Sequence, residues 1–394
     1  MKLAFVSDTH FGFSEDSAPQ AREALRAALD RDVDAIILPG DLFDSRVPKQ
    51  EVIHEGVRVF REIQQTGSST VSITEKVADA EKKVVWKGVP LLAIPGTHER
   101  RSKGMTNIIQ ILAEAGLLIN VHARQILLEK DGERVCVQGM QGVPEEYVRK
   151  TLQAASFTPE KNAFNLLVFH QSLRELLPFE KEDFISLQEL PGGFDLYLNG
   201  HIHWNVDQEK NGRRLIVPGS TVITQMRKRE EQPKGFYVFD TRTREARFHE
   251  INSRPFHFIE ISFENASPHA VIDALDTRLK PLAETHSGRK PSVRCILKGS
   301  LDKGFVSSAV DVEPLEAKYG SQLQLYIEKR FESKELKEKI GLLRKLREEK
   351  KGARELGMEW LRLRLKENGV EMEDAEAVFD LLAEGDLDEA EKRI

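Results

Sequence analysis

Histidines and aspartates of the kinds that bind metal ions recur at five points of the sequence, each close behind a short apolar run. These points are Asp8-Thr9-His10, Gly40-Asp41, Gly96-Thr97-His98, His170 and Gly200-His201-Ile202-His203. Taken singly, each has an ordinary explanation, because Gly-Asp is a common turn and a lone histidine is more often packed or solvated than bound to a metal. Together, however, five of the 11 histidines follow the ends of apolar runs, which chance does not readily produce. The sequence therefore predicts one metal site assembled from five loops.

Mixed carboxylate and imidazole side chains are typical ligands of divalent manganese, iron or zinc. The glycines within these motifs allow the backbone to turn sharply, so that side chains from different loops converge. Asp41 is suited to bridge two ions about 3.5–4 Å apart, the separation at which a metal pair generates hydroxide and clamps an in-line phosphoryl displacement. The chemistry that this pattern favours is the hydrolysis of a phosphate ester.

Alternating β-rich and helical patterns surround these residues from Met1 to about Ile251. The β-rich runs are KLAFVSD, DAIILPG, PLLAIPG, NLLVFH, FDLYLNG, RLIVPGS and GFYVFD. Many are apolar throughout, as expected of strands buried on both faces. Between them, QAREALRAALDR and IHEGVRVFREIQQ carry apolar residues at helical spacing. This alternation predicts a layered α/β fold, whose strand ends are where sites are built.

Two further stretches organise the chain. Residues 67–87 are long for a helix-to-strand connection and form either an inserted flap or an extra hairpin. Near Ser253-Arg254-Pro255 a second region begins, with the order strand, helix, strand, helix-like segment, strand. That order predicts a small α/β domain.

A helical pattern occupies the chain from Ser333 onward, with apolar residues spaced to form stripes. Two interpretations stay open. The helices either pack on their own chain as a bundle or present an apolar stripe to a partner, since short amphipathic helices at a charged chain end have little other core to share. The candidate partner-facing residues are Leu336, Ile340, Trp360, Val378, Phe379 and Leu382.

Length and composition limit the classes of protein. The 394 residues suffice for two or three domains, and no apolar segment approaches the ~20 residues that cross a bilayer. The N-terminal residues lack the apolar core of a secretory signal, so a cytoplasmic location is predicted.

Cys136 and Cys295 lie in separate apolar runs, so we expect both thiols to be packed in the interior rather than joined in a disulfide. A net charge of −6 argues against attraction of the whole molecule to nucleic acid, so such contacts depend on local patches.

At the metal-ligand motifs the sequence resembles the calcineurin-like metallophosphoesterase superfamily, and within it the Mre11 and SbcD nucleases of DNA double-strand-break repair. GDLFDSRVP at 40–48 and GSTVITQMRKREEQPKGFYVFD at 219–240 carry the narrower resemblance, together with the order of domains. The resemblance implies a four-layer α-β-β-α sandwich over 1–253, an α/β capping domain over 254–332, and a helical segment over 333–394 that binds an ATPase partner.

The resemblance also implies roles for the motif residues. One metal ion would be held by Asp8, His10 and His203, and a second by His170 and His201, with Asp41 as the bridge. These ions would be two Mn²⁺. His98 would contact the scissile phosphate and help to protonate or stabilise the leaving oxygen.

Thr97 departs from the family pattern, which has asparagine at this position. An asparagine carbonyl is a good neutral oxygen ligand, whereas a threonine hydroxyl is a poorer one. If Thr97 or water completes the second metal site, the affinity for the ion falls, by analogy with the ~10–100-fold losses typical of changes around metal ligands. If nothing completes it, the chain binds DNA without cutting it.

The function implied is a Mn²⁺-dependent 3′-to-5′ exonuclease and single-strand endonuclease that acts on DNA ends. The implied partners are DNA, an SMC-like coiled-coil ABC ATPase of the Rad50 or SbcC type, and a second copy of the chain in a homodimer. Alternatives are a non-catalytic DNA-end scaffold and a phosphatase or cyclic-nucleotide phosphodiesterase of the same superfamily. The candidate DNA-contacting residues, near the metal loops and after GSTVITQM, are Arg46, Arg100, Arg101, Lys103, Arg227, Lys228 and Arg229.

Overall fold

The computed structural model describes residues 1–77, 80–102, 104–177, 182–285, 288–332, 353–367, 372, 374–384 and 389–390. These residues divide into two compact units. The first comprises Met1–Ile259, Leu282–Arg294 and Tyr319–Tyr326, and the second comprises Glu260–Pro281, Cys295–Lys318 and the described part of 327–394. Lys103, Leu336 and Ile340, three of the predicted contact residues, lie outside the described residues.

Strands and helices alternate along the first 250 residues, as the sequence predicts. In chain order they are β1 (Lys2–Phe5), α1 (Ser17–Leu29), β2 (Ala35–Leu38), α2 (Gln50–Thr66), β3 (Ser72–Val77), β4 (Ala80–Val84), β5 (Leu91–Ala93), α3 (Ile108–Glu114), β6 (Ile119–Asn120), β7 (Gln125–Lys130), β8 (Glu133–Met140), α4 (Glu145–Ala155), β9 (Phe164–Phe169), β10 (Leu196–Asn199), β11 (Val206–Lys210), β12 (Arg213–Val217), β13 (Gly235–Asp240) and β14 (Ala246–Glu250). Short 3₁₀ helices cover Arg174–Leu176, Leu187–Glu189 and Lys228–Glu231.

Two mixed sheets organise the first unit. The six-stranded sheet has the order β14-β13-β1-β2-β5-β6, and the eight-stranded sheet has the order β11-β12-β10-β9-β8-β7-β3-β4. Strands β1, β2 and β5 run parallel in the first sheet, and β9 and β10 run parallel in the second. These are the five strands that lead into the predicted metal-ligand loops.

Three apolar clusters show that the layers stack as α-β-β-α. Ala4, Ile36 and Leu91 project from one face of the six-stranded sheet into a cluster with α1, α2 and α3. A second cluster fills the space between the sheets, where Phe5 and Ile37 meet Val168 and Leu198. A third lies on the outer face of the eight-stranded sheet and includes residues of α4. The predicted four-layer sandwich is therefore confirmed.

The described residues of 67–87 form a pair of antiparallel strands, a hairpin rather than a flap. Strand β3 pairs antiparallel with β4 and also with β7, so the hairpin extends the eight-stranded sheet by two strands. Lys76 on β3 donates a hydrogen bond to Glu160 Oε2 at 2.8 Å, which ties the hairpin to the loop before β9. The insertion is thus part of the sandwich and not an appendage.

Beyond residue 255 the elements follow the predicted order. They are β15 (Phe256–Ala266), α5 (Pro268–Thr285), β16 (Ser292–Leu301), a 3₁₀ helix (Ser307–Ala309), α6 (Glu313–Tyr319), β17 (Gln324–Phe331), α7 (Ala353–Glu367) and α8 (Ala375–Glu384). The three strands form one sheet in the order β15-β16-β17. No helix in the described ranges is both long and apolar enough to span a membrane.

Helices α7 and α8 contact each other, and this contact covers part of the predicted partner-facing stripe. A Cβ on Gly357 would collide with the ring of Phe379, so the two helices approach closely there. Arg354 on α7 donates two hydrogen bonds to the Asp380 carboxylate on α8. Val378 is only 1% exposed, whereas Leu382 is 41% exposed. Within the described tail, Val378 therefore packs on its own chain and Leu382 faces solvent.

Candidate metal centre and nucleic-acid interface

Five loops bring the predicted ligands together at one end of the sandwich. The loops after β1 and β2 run side by side, because the backbone N–H of Asp8 donates to the Gly40 carbonyl and that of His10 donates to the Asp41 carbonyl. Gly200 N–H likewise donates to the Phe169 carbonyl and joins the loops after β9 and β10. Backbone hydrogen bonds thus continue past the strand ends, and they fix the backbone positions from which the candidate ligand side chains extend.

The backbone of these loops is unusual for residues other than glycine. Asp8, His10, Asp41 and His201 have positive φ angles of 50°, 45°, 50° and 69°, in the sparsely populated left-handed region. Gly96 is required by close approach, since a Cβ there would collide with Asp41 Oδ1. Strained backbone that the surrounding fold holds in place is characteristic of functional sites.

The first ligand cluster consists of Asp8, His10 and His203, all buried. His203 Nε2 lies 3.4 Å from His10 Nε2 and 3.5 Å from Asp8 Oδ1, and His10 Nε2 lies 3.9 Å from the same oxygen. These three side chains place two imidazole nitrogens and one carboxylate oxygen close together. Divalent ions bind at mixed nitrogen and oxygen sites of this kind.

The second cluster consists of Asp41, His170 and His201. His170 Nε2 lies 3.0 Å from Asp41 Oδ2, and the Nδ1 of the same ring hydrogen-bonds to the Pro39 carbonyl at 2.7 Å. Thr97 is beside this cluster, and its hydroxyl donates to Asp41 Oδ2 at 3.1 Å. Each cluster therefore supplies one carboxylate and two imidazoles, a donor set that fits a divalent ion.

Protonation differs among the buried histidines. Burial alone would raise the pKa of Asp41 and lower that of His170, but the charge and hydrogen bond between them hold the pKa of Asp41 well below its ordinary value and raise that of His170 to about 9. Burial and the neighbouring His170 lower the pKa of His201 to about 4. Burial also lowers the pKa of His203. The lowered pKa values of His201 and His203 favour their neutral form, the form in which imidazole binds metals.

His98 stands at the entrance to the clusters, with 43% of its side chain exposed. Its Nδ1 lies 2.9 Å from the Asp44 carbonyl oxygen, and its backbone N–H donates to Asp41 Oδ1 at 2.8 Å. Asp44 also places Oδ1 3.0 Å from His10 Nδ1. Asp44 thus contacts a predicted ligand and the predicted catalytic histidine, although sequence reasoning assigned it no role; its place within GDLFDSRVP was the available signal.

Glu99 is a second residue that sequence reasoning missed. Its side chain is fully buried and accepts hydrogen bonds from the backbone N–H groups of Phe43 at 3.0 Å and Gly96 at 2.8 Å. Burial, with the nearby charge of Asp41, raises the pKa of Glu99 to about 8. Glu99 joins the loops after β2 and β5, which carry Asp41 and His98.

The predicted basic residues differ in their exposure and in the contacts they make. Arg46, Arg227, Lys228 and Arg229 are exposed. The Arg101 guanidinium donates to the Arg46 carbonyl at 3.3 Å, so these two predicted contact residues do lie together. Arg229 is engaged by its own chain, because its guanidinium stacks over the Trp204 ring at 5.0 Å and donates to the Leu176 carbonyl. Arg100 is half-buried.

A cavity of about 400 Å³ is lined in part by one histidine from each cluster, His201 and His203. Its lining includes Glu145, Ser172, Phe184, His201, Trp204 and Arg227. Each cluster therefore presents one histidine to a concavity that also contains apolar rings and an exposed guanidinium.

Fold and ligand clusters together define a metallophosphoesterase. The calcineurin-like phosphoesterase family model matches residues 1–205, and the chain belongs to that family. This match covers all five loops that bear the predicted ligands.

Curated relatives narrow the resemblance to Mre11 proteins. The chain is 28% identical over 240 residues to the DNA double-strand break repair protein Mre11 of Methanopyrus kandleri, covering 56% of this chain and 48% of the relative. It is 25% identical over 250 residues to the protein of the same name from Saccharolobus solfataricus, covering 61% and 58%. It is 24% identical over 301 residues to the double-strand break repair protein MRE11 of Homo sapiens, covering 66% and 42%. The matches span about half the length of these relatives, and the predicted resemblance to the Mre11 group is confirmed.

Proposed function

We propose that this chain is a metal-dependent DNA phosphodiesterase, a 3′-to-5′ exonuclease and single-strand endonuclease that processes DNA double-strand break ends. The observation that carries the proposal is the pair of buried carboxylate and imidazole clusters, Asp8/His10/His203 and Asp41/His170/His201, in a member of the calcineurin-like phosphoesterase family. The relatives named as double-strand break repair proteins support DNA as the substrate.

The two clusters would each hold one Mn²⁺, with Asp41 as the bridging carboxylate. When bound, such an ion pair supplies a nucleophile at neutral pH and neutralises charge on the phosphate in the transition state. Asp44 and the Pro39 carbonyl hold the outward nitrogens of His10 and His170, so that the inward nitrogens face the site. The role of these residues is to fix ligand orientation before substrate arrives.

His98 would assist the leaving oxygen. Its imidazole is exposed enough to reach a phosphate, and the Asp44 carbonyl fixes the ring by accepting from Nδ1. Nε2 is then the nitrogen available to the substrate. A positioned histidine of this kind acts as a general acid or stabilises charge by hydrogen bonding.

DNA would be held through its phosphates by Arg46, Arg101, Arg227 and Lys228. Nothing in this set implies reading of base sequence, so binding is expected to be directed to the backbone and to weaken as salt rises. Arg100 and Lys103 stay in the proposal from sequence, whereas the contacts of Arg229 favour a structural role.

The helical segment 333–394 would bind an SMC-like ABC ATPase, and helices of the phosphoesterase domain would form a homodimer. Leu382 is the exposed member of the described stripe, and Ile111 on α3 is 50% exposed. Deletion of 333–394 is expected to abolish co-purification with the ATPase and leave the phosphoesterase domain folded. Undiminished co-purification of the truncated chain would contradict this assignment.

A manganese titration of DNA cleavage tests the proposed activity. Linear duplex DNA is incubated with wild type, His98→Ala and Thr97→Asn over a range of Mn²⁺, and products are resolved by length. We expect cleavage by wild type that requires Mn²⁺ and is lost in His98→Ala. Turnover of phosphomonoesters far faster than of DNA would instead identify a phosphatase.

A non-catalytic DNA-end scaffold is the second candidate, and the contact between Thr97 and Asp41 favours it. The Thr97 hydroxyl donates a hydrogen bond to Asp41 Oδ2. A hydroxyl is also a weaker ligand for a metal ion than an amide carbonyl. Absence of cleavage by wild type, with cleavage gained by Thr97→Asn, would establish the scaffold in place of the nuclease.

A further inference from the structure

Both histidines of the run Gly200-His201-Ile202-His203 contact a side-chain hydroxyl through one ring nitrogen. His203 Nδ1 hydrogen-bonds to the hydroxyl of Thr224. His201 Nε2 lies 3.1 Å from the hydroxyl of Ser172. The two hydroxyls come from different parts of the chain, the loop after β12 and the loop after β9.

Each of these two hydroxyls also hydrogen-bonds to a carboxylate. Ser172 donates to Glu145 Oε1 at 2.8 Å, and Thr224 donates to Glu230 Oε1 at 3.4 Å. A hydroxyl that donates to a carboxylate offers its lone pairs to the imidazole. The ring nitrogen that faces it must then carry the hydrogen, which leaves the other ring nitrogen as an acceptor.

Glu230, in the 3₁₀ helix Lys228–Glu231, is held by several hydrogen bonds. It is 2% exposed and accepts from the backbone N–H groups of Thr224 at 3.1 Å, Gln225 at 3.0 Å and Arg227 at 3.2 Å. Lys234, also buried, approaches Glu230 Oε1 to 3.3 Å and donates to the His203 carbonyl at 2.8 Å. A buried ion pair with its remaining hydrogen bonds satisfied is strongly disrupted if one member is removed.

We infer that Thr224 and Ser172 are positioning residues, each of which orients one histidine toward a different metal ion through a hydroxyl–carboxylate pair. Thr224 with Glu230 fixes the Nδ1–H form of His203 and aims Nε2 into the cluster with Asp8 and His10. Ser172 with Glu145 fixes the Nε2–H form of His201 and leaves Nδ1 for the cluster with Asp41. The inference rests on the proposed metal centre, and it concerns affinity for metal rather than cleavage.

Thr221 provides a matched control in the same loop as Thr224. It is fully buried, and its hydroxyl has no hydrogen-bond partner among the described residues. Thr221→Val and Thr224→Val therefore make the same chemical change, at a hydroxyl without and with a histidine contact. Thr224→Ser retains the hydroxyl and serves as the conservative variant.

The experiment measures Mn²⁺ binding to the full chain by isothermal titration calorimetry, with thermal unfolding of the metal-free proteins beside it. We expect Thr224→Val to lower the affinity for one of the two ions by about 10–100-fold, the range seen when residues that hydrogen-bond to metal ligands are removed. Ser172→Ala should lower the affinity for the other ion, and the double variant should lower both affinities. Thr224→Ser and Thr221→Val should bind both ions as wild type does.

Binding of two ions by wild type and equally tight binding by Thr224→Val and Ser172→Ala would overturn the inference and leave the metal centre intact. Equal losses in Thr221→Val and Thr224→Val would also overturn it, because the effect would then be one of packing. A wild-type chain that binds no Mn²⁺ would overturn the proposed metal centre and the inference together. Unchanged thermal unfolding of the metal-free variants would exclude misfolding as the source of a loss.

Discussion

The hydroxyl of Thr97 donates a hydrogen bond to Asp41 Oδ2 at 3.1 Å, on the oxygen that also lies 3.0 Å from His170 Nε2. The residue that departs from the family pattern is therefore in direct contact with the carboxylate that is proposed to bridge the ions. It affects that carboxylate as a hydrogen-bond donor, whereas asparagine would offer the ion a carbonyl oxygen.

Replacement of Thr97 by asparagine should strengthen binding of the second ion. An amide oxygen is a better neutral ligand than a hydroxyl, so we expect the weaker Mn²⁺ site to tighten about tenfold, toward the lower end of the changes seen around metal ligands. Calorimetric titration with Mn²⁺ measures this directly. Thr97→Val, which has neither donor nor ligand, is the comparison, and equal affinities in all three proteins would show that position 97 does not contact the ion.

Removal of the His98 imidazole should separate catalysis from metal binding. His98→Ala keeps the backbone N–H that bonds Asp41, so both ions should bind normally while DNA cleavage falls by about 10²–10⁴-fold, the usual contribution of a general acid. His54 is exposed on α2, and His54→Ala is the matched control. Cleavage at the wild-type rate by His98→Ala would remove this residue from the mechanism.

Glu99 should be important for stability, because its two oxygens satisfy two buried backbone donors. Glu99→Gln puts an NH₂ group against the N–H of either Gly96 or Phe43, and an unsatisfied buried donor costs about 1–3 kcal/mol. We expect a loss of that size in the free energy of unfolding, measured by urea denaturation of metal-free protein. Glu114→Gln, at an exposed position of α3, should change stability little, and a similar effect of both variants would rule out a specific role for Glu99.

The hydrogen bond from Lys76 to Glu160 should give the hairpin a pH-dependent attachment. That bond holds the pKa of Glu160 below its ordinary value of 4.5, so its stabilisation is present above that pH and is lost as the pH falls through the lower pKa of the folded state. Lys76→Met should reduce the free energy of unfolding by about 0.5–1 kcal/mol at pH 7. The difference should vanish in acid.

Urea unfolding at several pH values measures the effect. Lys83, exposed on β4 and without an ion pair to any residue that the structure describes, provides the control variant Lys83→Met. A difference between Lys76→Met and wild type that persisted unchanged in acid would show that the ion pair is not its origin.

The grouping of the candidate ligands was predictable from sequence because each follows a short, mostly apolar strand. Parallel strands end at the same edge of a sheet, so residues just past those ends meet whatever the loops do in detail. Asp8 follows β1 of the six-stranded sheet and His203, 195 positions further on, follows β10 of the eight-stranded sheet, so these two residues share a cluster because the stacked sheets place both strand ends at the same end of the sandwich. The fold was predictable on the same grounds, since buried strands and amphipathic helices alternate in the sequence.

The groups behind the ligands were not predictable in this way. Thr224, Ser172 and Glu99 make their contacts only after separate loops have come together, and no periodicity in the sequence marks them. The tail shows a related limit: spacing placed Val378 and Leu382 on an apolar stripe, but only packing between α7 and α8 distinguishes the buried residue from the exposed one.

The hairpin of β3 and β4 also determines how the eight-stranded sheet terminates. Its outermost strands are β4, with the sequence AEKKV, and β11, with the sequence VDQEK. An open sheet edge can pair with a strand from another molecule, and charged side chains, lysine above all, discourage such pairing. Both margins of this sheet carry charges of either sign. Without the insertion, the edge of the sheet would be β7, which is longer and whose QILLEK sequence is more apolar. The insertion therefore provides a charged edge strand that resists aggregation.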